Sequence, residues 1–425
     1  MKILGDKMVQ NIRKISVHVV LFLTWMVLGG TTSAQQWIVS PNGDLTSIKE
    51  TINKASTGDT LIISEGVYFE SDIVINKPLT VLGEGKAVID GQKNGFVMIV
   101  RSDDVTLKGF EIHHAGTSFI EDYAGLLVEK SNNVRLENLK LVDNFFGIYV
   151  AQSSNVLIKN NELTASGLKE TSSGNGVHLW YSKNVYIENN SVIGHRDGFY
   201  FEFVEEVKVV NNLSRNNLRY GLHFMFSNNC SYTHNTISNN GAGVAVMYTS
   251  KVEISQNIFT DNWGSAAYGL LLKEINESEI IGNTFTSNSV GLYMESSNRN
   301  KILNNAFQQN GWAIKLMSNS MDNIFSDNNF FENTFEVATN SKQNFNLFEG
   351  NYWSHYEGYD LDRDGFGDVP HRPVRLFSVI VQKHPQSLIL LRSTLIDLLD
   401  MSEKFLPIIT PDKLIDAKPR MKETL

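Results

Sequence analysis

The sequence predicts an all-β protein folded as a right-handed parallel β-helix, with rungs of about 22 residues. The first observation is a strand that recurs every 22 or 23 residues, apart from two longer steps of 29 and 26 residues. Its starts are Gly125, Gly147, Gly176, Gly198, Gly221, Gly243, Gly269, Gly291 and Ala313. Rungs of this period cannot bury their apolar faces alone, so they are expected to stack into one coil, and parallel connections are nearly always right-handed.

The second observation is the alternation of apolar and polar residues inside each repeat. Apolar residues stand one and three positions after each start, as Leu222 and Phe224 do after Gly221. This alternation indicates a strand with one buried face. A second apolar strand follows about eleven positions after each start, for example around Ile158 and Ile187.

The third observation is a column of asparagines fourteen positions after the starts. Its members are Asn161, Asn190, Asn212, Asn235, Asn257, Asn283 and Asn305. Asparagine tolerates left-handed backbone, and its amide can bond to the same amide on the next rung. The column therefore predicts a stacked corner of the coil.

The N-terminal segment, residues 1–34, is predicted to be an export signal. Lys7, Arg13 and Lys14 precede the apolar run Val17–Leu28, and small residues up to Ala34 offer a cleavage site. A retained single-pass anchor is the alternative, although the run is short for a bilayer span of about 20 residues. The signal favours a mature protein outside the cytoplasm.

The rest of the chain divides into four predicted parts. Residues 35–124 form an N-terminal cap with irregular rungs, in which Leu45–Ala55 is expected to be a short helix that covers the open end of the coil. Regular rungs span 125–345, an Asp-rich closing segment spans 346–385, and a C-terminal helix and tail span 386–425. In the last part, Ser387–Phe405 has the spacing of an amphipathic helix.

The two longer steps place extra residues at one corner, just before a glycine-led strand. These segments are Leu168–Ser173 and Trp263–Tyr268. Insertions in solenoids often lie beside a binding face, so the rungs between the two segments are the predicted location of such a face.

Charge, cysteine content and residue spacing exclude several functions. The net charge is −9, and no basic stripe could neutralise nucleic-acid phosphates. The single cysteine, Cys230, stands at a core position of the repeat, which favours a buried thiol over a metal ligand and leaves no disulfide within the chain. No spacing typical of a catalytic triad occurs, and Glu202 and Glu295 lie about 19 Å apart, too far for paired acid catalysis. The sequence therefore predicts that the protein is not an enzyme.

The outward positions of four neighbouring rungs carry side chains suited to a soft metal. This His/Met patch consists of His178, Trp180, Tyr200, Glu202, His223, Met225 and Met247. Imidazole and thioether together suit copper, above all Cu(I). The candidate copper ligands are His178, His223, Met225 and Met247, and the other three residues complete the binding surface. A protein-contact surface without metal is the alternative, because methionine and aromatic side chains are common at interfaces, and coincidence is the third explanation.

An acidic run near the C-terminus has the spacing of the first half of a calcium loop. Asp360, Asp362 and Asp364 stand at alternate positions, and Asp368 falls where a ninth-position ligand would stand. The terminal glutamate of a complete loop is missing, because His371 occupies position twelve. The four aspartates are candidate calcium ligands, or else an acidic turn that closes the last rung.

Several segments of the chain together resemble one protein family. They are Gly194–Phe201, Tyr220–Ser227, Gly350–Trp353, Gly358–Pro370 and the helix around Leu390-Leu391-Arg392-Ser393. The family is NosD, the periplasmic maturation proteins of nitrous oxide reductase, and the resemblance covers essentially everything after the predicted signal. Glycine-led repeats with asparagine corners also occur in many carbohydrate-active β-helices, whereas the His-Phe-Met strand combined with the Asp-rich segment is more specific.

The resemblance implies a right-handed β-helix that works with the ATPase and the membrane permease of an ABC transporter. Such proteins support assembly of the copper–sulfur centre of nitrous oxide reductase, with copper passed on by a periplasmic copper chaperone. The C-terminal apolar helix would then be a dock for the permease and would bring the chain to the membrane. No copper ligand is carried over from the family by motif, so the His/Met patch rests on the residues alone.

Two other functions stay open at this stage. Trp180, Tyr200 and Tyr293 could form a sugar platform in a carbohydrate-binding or polysaccharide-cleaving β-helix, with acidic residues binding calcium. A docking scaffold without a metal of its own is the other possibility. Soft ligands without a carboxylate pair favour the copper-handling protein.

Overall fold

The computed structural model confirms the parallel β-helix. It describes residues 34–423 except 119, 168, 265–266, 318, 342, 392 and 406–413, so the predicted export signal lies, apart from its last residue, outside the described residues. Within the described part, the strands form three parallel sheets of 12, 14 and 13 strands along the coil. No helix of these residues is long and apolar enough to cross a membrane.

The strands of each sheet follow one another along the coil axis. Sheet 1 comprises Ile73–Ile75, Met98–Val100, Ala124–Glu129, Phe146–Ala151, Val177–Trp180, Phe199–Glu202, Tyr220–Met225, Ala242–Ser250, Tyr268–Asn276, Val290–Glu295, Trp312–Leu316 and Phe335–Ala338. Sheet 2 comprises Gln36–Val39, Thr60–Ile63, Thr80–Gly83, Val105–Lys108, Asn132–Glu137, Ser154–Lys159, Lys183–Glu188, Lys208–Val210, Ser231–Thr233, Glu253–Ser255, Glu279–Ile281, Lys301–Leu303, Ile324–Ser326 and Leu347–Glu349. Sheet 3 comprises Gly66–Phe69, Ala87–Asp90, Glu111–His113, Lys140–Val142, Glu162–Thr164, Ser191–Ile193, Leu213–Arg215, Thr236–Ser238, Ile258–Thr260, Thr284–Thr286, Ala306–Gln308, Asn329–Phe331 and Tyr352–Trp353.

The rungs contain a third strand, which belongs to sheet 3. The repeat pattern did not indicate this strand. Sheets 1 and 2 hold the two strands predicted for each repeat, whereas most strands of sheet 3 have three residues, too few for alternation to be recognised. Single apolar residues such as Leu163 and Val192 point from it into the core and are 0% exposed. Sheets 2 and 3 also continue past residue 345, where the repeat pattern ends, through Leu347–Glu349 and Tyr352–Trp353.

The glycine column exists because successive rungs approach each other closely at this point. A Cβ atom on Gly243 would lie 2.4 Å from the backbone oxygen of Gly269, and one on Gly198 would lie 2.5 Å from that of Gly221. Glycine is therefore favoured in this column, although the register also places Val97 and Ala313 in it. In the last strand of sheet 1, the register places Glu336 in this column, where no further rung blocks its side chain.

The asparagine column forms the predicted ladder. The Nδ2 of Asn161 donates to the Oδ1 of Asn190 at 2.9 Å, and the same bond recurs from rung to rung as far as Asn351. These side chains also donate to backbone oxygens of the preceding rung, as Asn235 does to Val209 at 2.9 Å. The ladder therefore satisfies buried polar groups that would otherwise be costly at a corner.

A short helix covers the N-terminal end of the coil. It spans Ile48–Lys54, within the predicted range, and Ile48 is fully buried. The carboxylate of Glu70 accepts hydrogen bonds from the backbone N–H groups of the first turn, at 2.7 Å from Ile48. Lys77 donates to carbonyls of the last turn, at 2.7 Å to Ala55. Opposite charges thus stabilise the two ends of the helix.

The C-terminal helical region differs from the single helix expected over Ser387–Phe405. The structure has an α-helix over Leu376–Lys383, a 3₁₀ helix over Pro385–Leu390 and an α-helix over Thr394–Phe405. Pro385 separates the first two of these helices, because proline lacks the N–H that a continuous helix would need. The last of these helices packs Ile396 inward beside Phe377, while Leu395, Leu398 and Met401 on its other side are about half exposed.

Candidate metal centre

The His/Met patch lies on four adjacent strands of sheet 1, as the register predicted. Two columns run side by side on these strands, and their members are paired directly between neighbouring rungs. The first column is His178, Tyr200, His223 and Ala245, and the second is Trp180, Glu202, Met225 and Met247. Adjacent members of a column are therefore about 4.8 Å apart at the backbone.

The two histidines of the patch are buried, whereas an outward strand position alone suggests exposure. His178 is 9% exposed and His223 is 7% exposed. The ring of His178 packs against Tyr149 and Tyr200 with centroid distances of 4.6 and 4.8 Å, and that of His223 against Tyr200 and Tyr220 at 5.1 and 4.8 Å. The packing of Tyr149 and Tyr220 on the two histidines was not predicted from the sequence, because this packing depends on how neighbouring rungs stack.

Each buried imidazole keeps one nitrogen without a hydrogen-bond partner. The Nδ1 of His178 lies 3.3 Å from the side-chain nitrogen of Asn175, and the Nδ1 of His223 lies 3.4 Å from Nη2 of Arg219. The Nε2 atoms of both rings are buried and unpaired. Burial lowers the pKa of His178 to about 3, so this imidazole is neutral at physiological pH. An unpaired nitrogen of a neutral imidazole is a suitable metal ligand.

A buried ion pair lies next to His223. Arg219 donates to both carboxylate oxygens of Asp197, at 2.9 and 2.6 Å, and the Nδ1 of His223 is 3.8 Å from the same carboxylate. Burial raises the pKa of Asp197, but the neighbouring His223 and Arg219 outweigh burial and lower it. The sequence analysis did not single out this pair. The only indication in the sequence was that Asp197 stands one position, and Arg219 two positions, before a glycine-led strand.

The four candidate copper ligands do not form one cluster. Met225 and Met247 are direct neighbours across two strands, and His223 stands two residues before Met225 on the same face. His178 and His223 are separated by the strand of Tyr200 and hence by about 10 Å at the backbone. His223, Met225 and Met247 are therefore neighbours in register, while His178 lies at a separate position.

Four stacked aromatic side chains border the patch and were not predicted as a group. This aromatic ridge consists of Tyr181, Phe203, Phe226 and Tyr248, each directly after a member of the second column. Successive ring centroids are 4.7, 5.0 and 5.1 Å apart with nearly parallel planes. All four residues have φ between 45° and 55°, which is uncommon for bulky side chains. The ring faces cover one another, so the ridge presents edges and does not offer the open ring faces of a sugar platform.

The acidic run near the C-terminus folds into a tight loop. Ligand atoms of Asp360, Asp362 and Asp364 all lie within 4.8 Å of one another, and among the described residues this is the one His, Cys, Asp or Glu set that meets this distance. Backbone N–H groups of the loop donate into these carboxylates, as Gly365 does to Asp360 at 3.0 Å. The carboxylate of Asp368 instead accepts a hydrogen bond from the N–H of Leu361 at 2.7 Å. Three of the four predicted aspartates are thus brought together.

Cys230 lies in the core, as its repeat position indicated. It is 2% exposed, and burial raises the pKa of its thiol to about 12. A protonated buried thiol is a poor metal ligand, so Cys230 takes no part in the candidate centre.

With this geometry established, comparison with known proteins identifies the family. The family described as "Periplasmic copper-binding protein (NosD)" matches residues 52–169 and 164–358, which is most of the coil. The chain belongs to the NosD family. The description of the family supports copper as the metal and the periplasm as its location, while NosD membership alone assigns no ligand in this chain.

Two NosD relatives carry the name probable ABC transporter binding protein NosD. The protein of Stutzerimonas stutzeri is 27% identical over 403 residues, which cover 83% of this chain and 85% of the relative. The protein of Pseudomonas aeruginosa is 33% identical over 113 residues, which cover 26% of each chain.

Solved structures similar to this NosD chain share its fold. The A-module of the mannuronan C-5 epimerase AlgE6 from Azotobacter vinelandii superposes with a TM-score of 0.62 at 13% identity, covering 71% of this chain and 92% of the module. The Dettilon tailspike protein superposes with a TM-score of 0.54 at 14% identity, covering 73% and 66%. At these identities the likeness concerns the β-helix and not the activity.

Proposed function

We propose that this protein is an exported, non-enzymatic copper-handling maturation factor that binds Cu(I) at His223, Met225 and Met247. The observation that carries the proposal is the unpaired, buried Nε2 of His223, on a strand that also carries Met225, which pairs in register with Met247. Thioether and imidazole ligands prefer Cu(I) to harder cations. Membership of a family described as periplasmic and copper-binding supports the same metal and location.

The other members of the patch have supporting roles in this proposal. His178 offers a second position for copper, since its Nε2 is also buried and unpaired. Tyr200 separates the two imidazoles, and Trp180 and Glu202 line the column that leads to Met225. Because the patch is bounded by the aromatic ridge, a partner protein could cover it while copper is transferred.

The partners follow from the family and from one apolar surface. The relatives are named as ABC transporter binding proteins, and we extend this association to the present chain. Its C-terminal region exposes several large apolar side chains, namely Leu388, Ile389, Leu390, Leu391, Leu395, Leu398 and Met401. Exposed apolar patches of this kind mark protein contacts. This surface would dock the permease, with the ATPase behind it, and hold the chain at the membrane.

The resulting role is assembly of the copper–sulfur centre of nitrous oxide reductase. A periplasmic copper chaperone would deliver the ion to the patch, and the reductase would receive it there. The Asp360, Asp362 and Asp364 loop is proposed to bind Ca²⁺ as an incomplete site that stiffens the closing segment, because carboxylate oxygens are preferred calcium ligands.

The experiment is a Cu(I) titration of the untagged, exported chain against a chromophoric chelator. Wild type is compared with a His223→Ala, Met225→Ala double variant. A matched control is His384→Ala, Met317→Ala, which removes the same residue types away from the patch. Tight binding that is lost in the first variant and kept in the control supports the proposal. Equal binding by both variants, or none by wild type, would overturn the copper site.

A further inference from the structure

A second cluster of metal-ligand residues lies at the C-terminal end of the coil, away from the His/Met patch. Its centre is Glu336, which occupies the glycine column of sheet 1 in the last strand. At Gly291, two rungs earlier in this column, a Cβ would lie 2.7 Å from the oxygen of Ala313. Among the described residues no further strand of sheet 1 follows that of Glu336, and its side chain contacts the closing segment instead.

Two histidines from the closing segment meet the carboxylate of Glu336. The Nε2 of His371 lies 2.8 Å from Oε2, and the Nδ1 of His355 lies 3.4 Å from Oε1. The side chain of Glu336 is only 4% exposed. Its Oε1 has no hydrogen bond of good geometry, and the contact with His355 is an ion-pair distance. Oε2 is thus bound by His371, whereas Oε1 lies near His355 without a hydrogen bond.

Burying the carboxylate of Glu336 has a free-energy cost that a purely structural contact does not require. Replacing buried ionic groups by packed apolar residues is often neutral or stabilising. Apolar neighbours are at hand, since Phe335 packs on Phe377 at a centroid distance of 6.0 Å. A carboxylate with two imidazoles at this place therefore indicates a ligand.

An ion can reach the cluster from solvent. His355 and His371 line an open cleft of about 810 Å³, together with Tyr356 and Arg372. The side chain of His355 is 43% exposed, whereas that of His371 is 11% exposed. His355 is therefore free to change its rotamer, while Glu336 and His371 are held by their surroundings.

We infer that Glu336, His355 and His371 bind a divalent first-row transition ion, of the class of Zn²⁺ and Cu²⁺. Two imidazoles and one carboxylate form a ligand set that such ions favour, with further positions left for water. His355 already lies 3.4 Å from Oε1, but the three residues do not offer ligand atoms that all lie within 4.8 Å of one another, so binding requires the exposed His355 ring to move closer to His371. This site is independent of the proposed Cu(I) patch and would connect the closing segment to the last rung.

The test is calorimetric titration of Zn²⁺ into the untagged full chain, in saturating Ca²⁺ so that the aspartate loop does not compete. Wild type is expected to bind one Zn²⁺ at this site, with affinity reduced at least tenfold in His355→Ala and in Glu336→Gln. His384→Ala, a control that removes an exposed histidine outside the cluster, is expected to bind as wild type does. The His223→Ala, Met225→Ala variant should also keep the site.

A second measurement distinguishes ligation from a general loss of structure. Co²⁺ is used as a spectroscopic probe, and its visible absorption band is expected in wild type and absent in His355→Ala. That variant keeps the 2.8 Å contact between Glu336 and His371, so it should fold even where Glu336→Gln does not. Equal Zn²⁺ affinity in wild type and folded His355→Ala, or no binding by wild type, would overturn the inference.

Discussion

Asn351 donates a hydrogen bond from Nδ2 to the Oδ2 of Asp416 at 3.0 Å, although the two residues are 65 positions apart in sequence. The same carboxylate accepts from the backbone N–H groups of Gly350 and Asn351 and from the indole of Trp353, at 3.2, 2.9 and 3.1 Å. In earlier rungs the amide oxygen of the next asparagine takes this place. Asp416, which is 0% exposed, therefore ends the ladder and closes the corner.

Replacing Asp416 with alanine should open this end of the coil. The buried N–H donors that it serves would lose their acceptor, and leaving such groups unsatisfied costs roughly 1–3 kcal/mol each. We expect the free energy of local opening to fall by about 3 kcal/mol, measured by hydrogen exchange of the amides of Gly350 and Asn351. Asp416→Asn keeps one acceptor oxygen and should retain more protection. Wild-type protection in Asp416→Ala would contradict this role.

Asp59 should make the N-terminal strand sensitive to acid. The indole of Trp37 and the backbone N–H groups of Gln35 and Ser56 donate to its carboxylate, each at 2.8 Å, and lower its pKa from 3.8. A carboxyl whose pKa is lower in the folded state stabilises the fold above its unfolded pKa, and this contribution is lost as pH falls through the folded value. The protection factors for hydrogen exchange of residues 35–39 should therefore fall below about pH 4.

The matched variant for this prediction is Asp59→Asn. It cannot ionise, so its protection should be lower at neutral pH and should change less on acidification. A pH dependence equal to that of wild type in Asp59→Asn would show that other carboxyl groups control the strand.

Gly243, in the middle of the glycine column, should be destabilised by substitution with alanine. At Gly243 the added methyl would lie 2.4 Å from the oxygen of Gly269, and the backbone cannot move without separating two strands of sheet 1. Overpacking of this kind typically costs about 1–3 kcal/mol. We expect Gly243→Ala to lower the midpoint of chemical denaturation. Gly58→Ala is a useful contrast, because nothing lies within 4 Å of its Cβ and only its φ of 86° opposes the change. Similar stability of Gly243→Ala and wild type would contradict the close approach.

The residue pattern along the sequence predicted much of the coil, because the same alternation of apolar and polar residues repeats from rung to rung. Alternation around Leu222 and the asparagine column identified sheets 1 and 2 and one corner. Sheet 3 was missed, because three residues with one buried member, such as Val192, do not form a recognisable period. The C-terminal helix was predicted as one segment, because its apolar spacing is continuous, although the structure divides this range into a 3₁₀ helix that ends at Leu390 and an α-helix that begins at Thr394.

The sequence by itself determined the stacking of the rungs, the corner at Asn161 and the rungs that carry His223, Met225 and Met247, because register along a solenoid is a property of the repeat. Only the tertiary structure decided that the imidazole of His223 is buried with a free Nε2, and that Glu336 meets His371. These contacts join residues from different rungs or from the closing segment. Their distances depend on side-chain packing across the coil, which no local periodicity encodes.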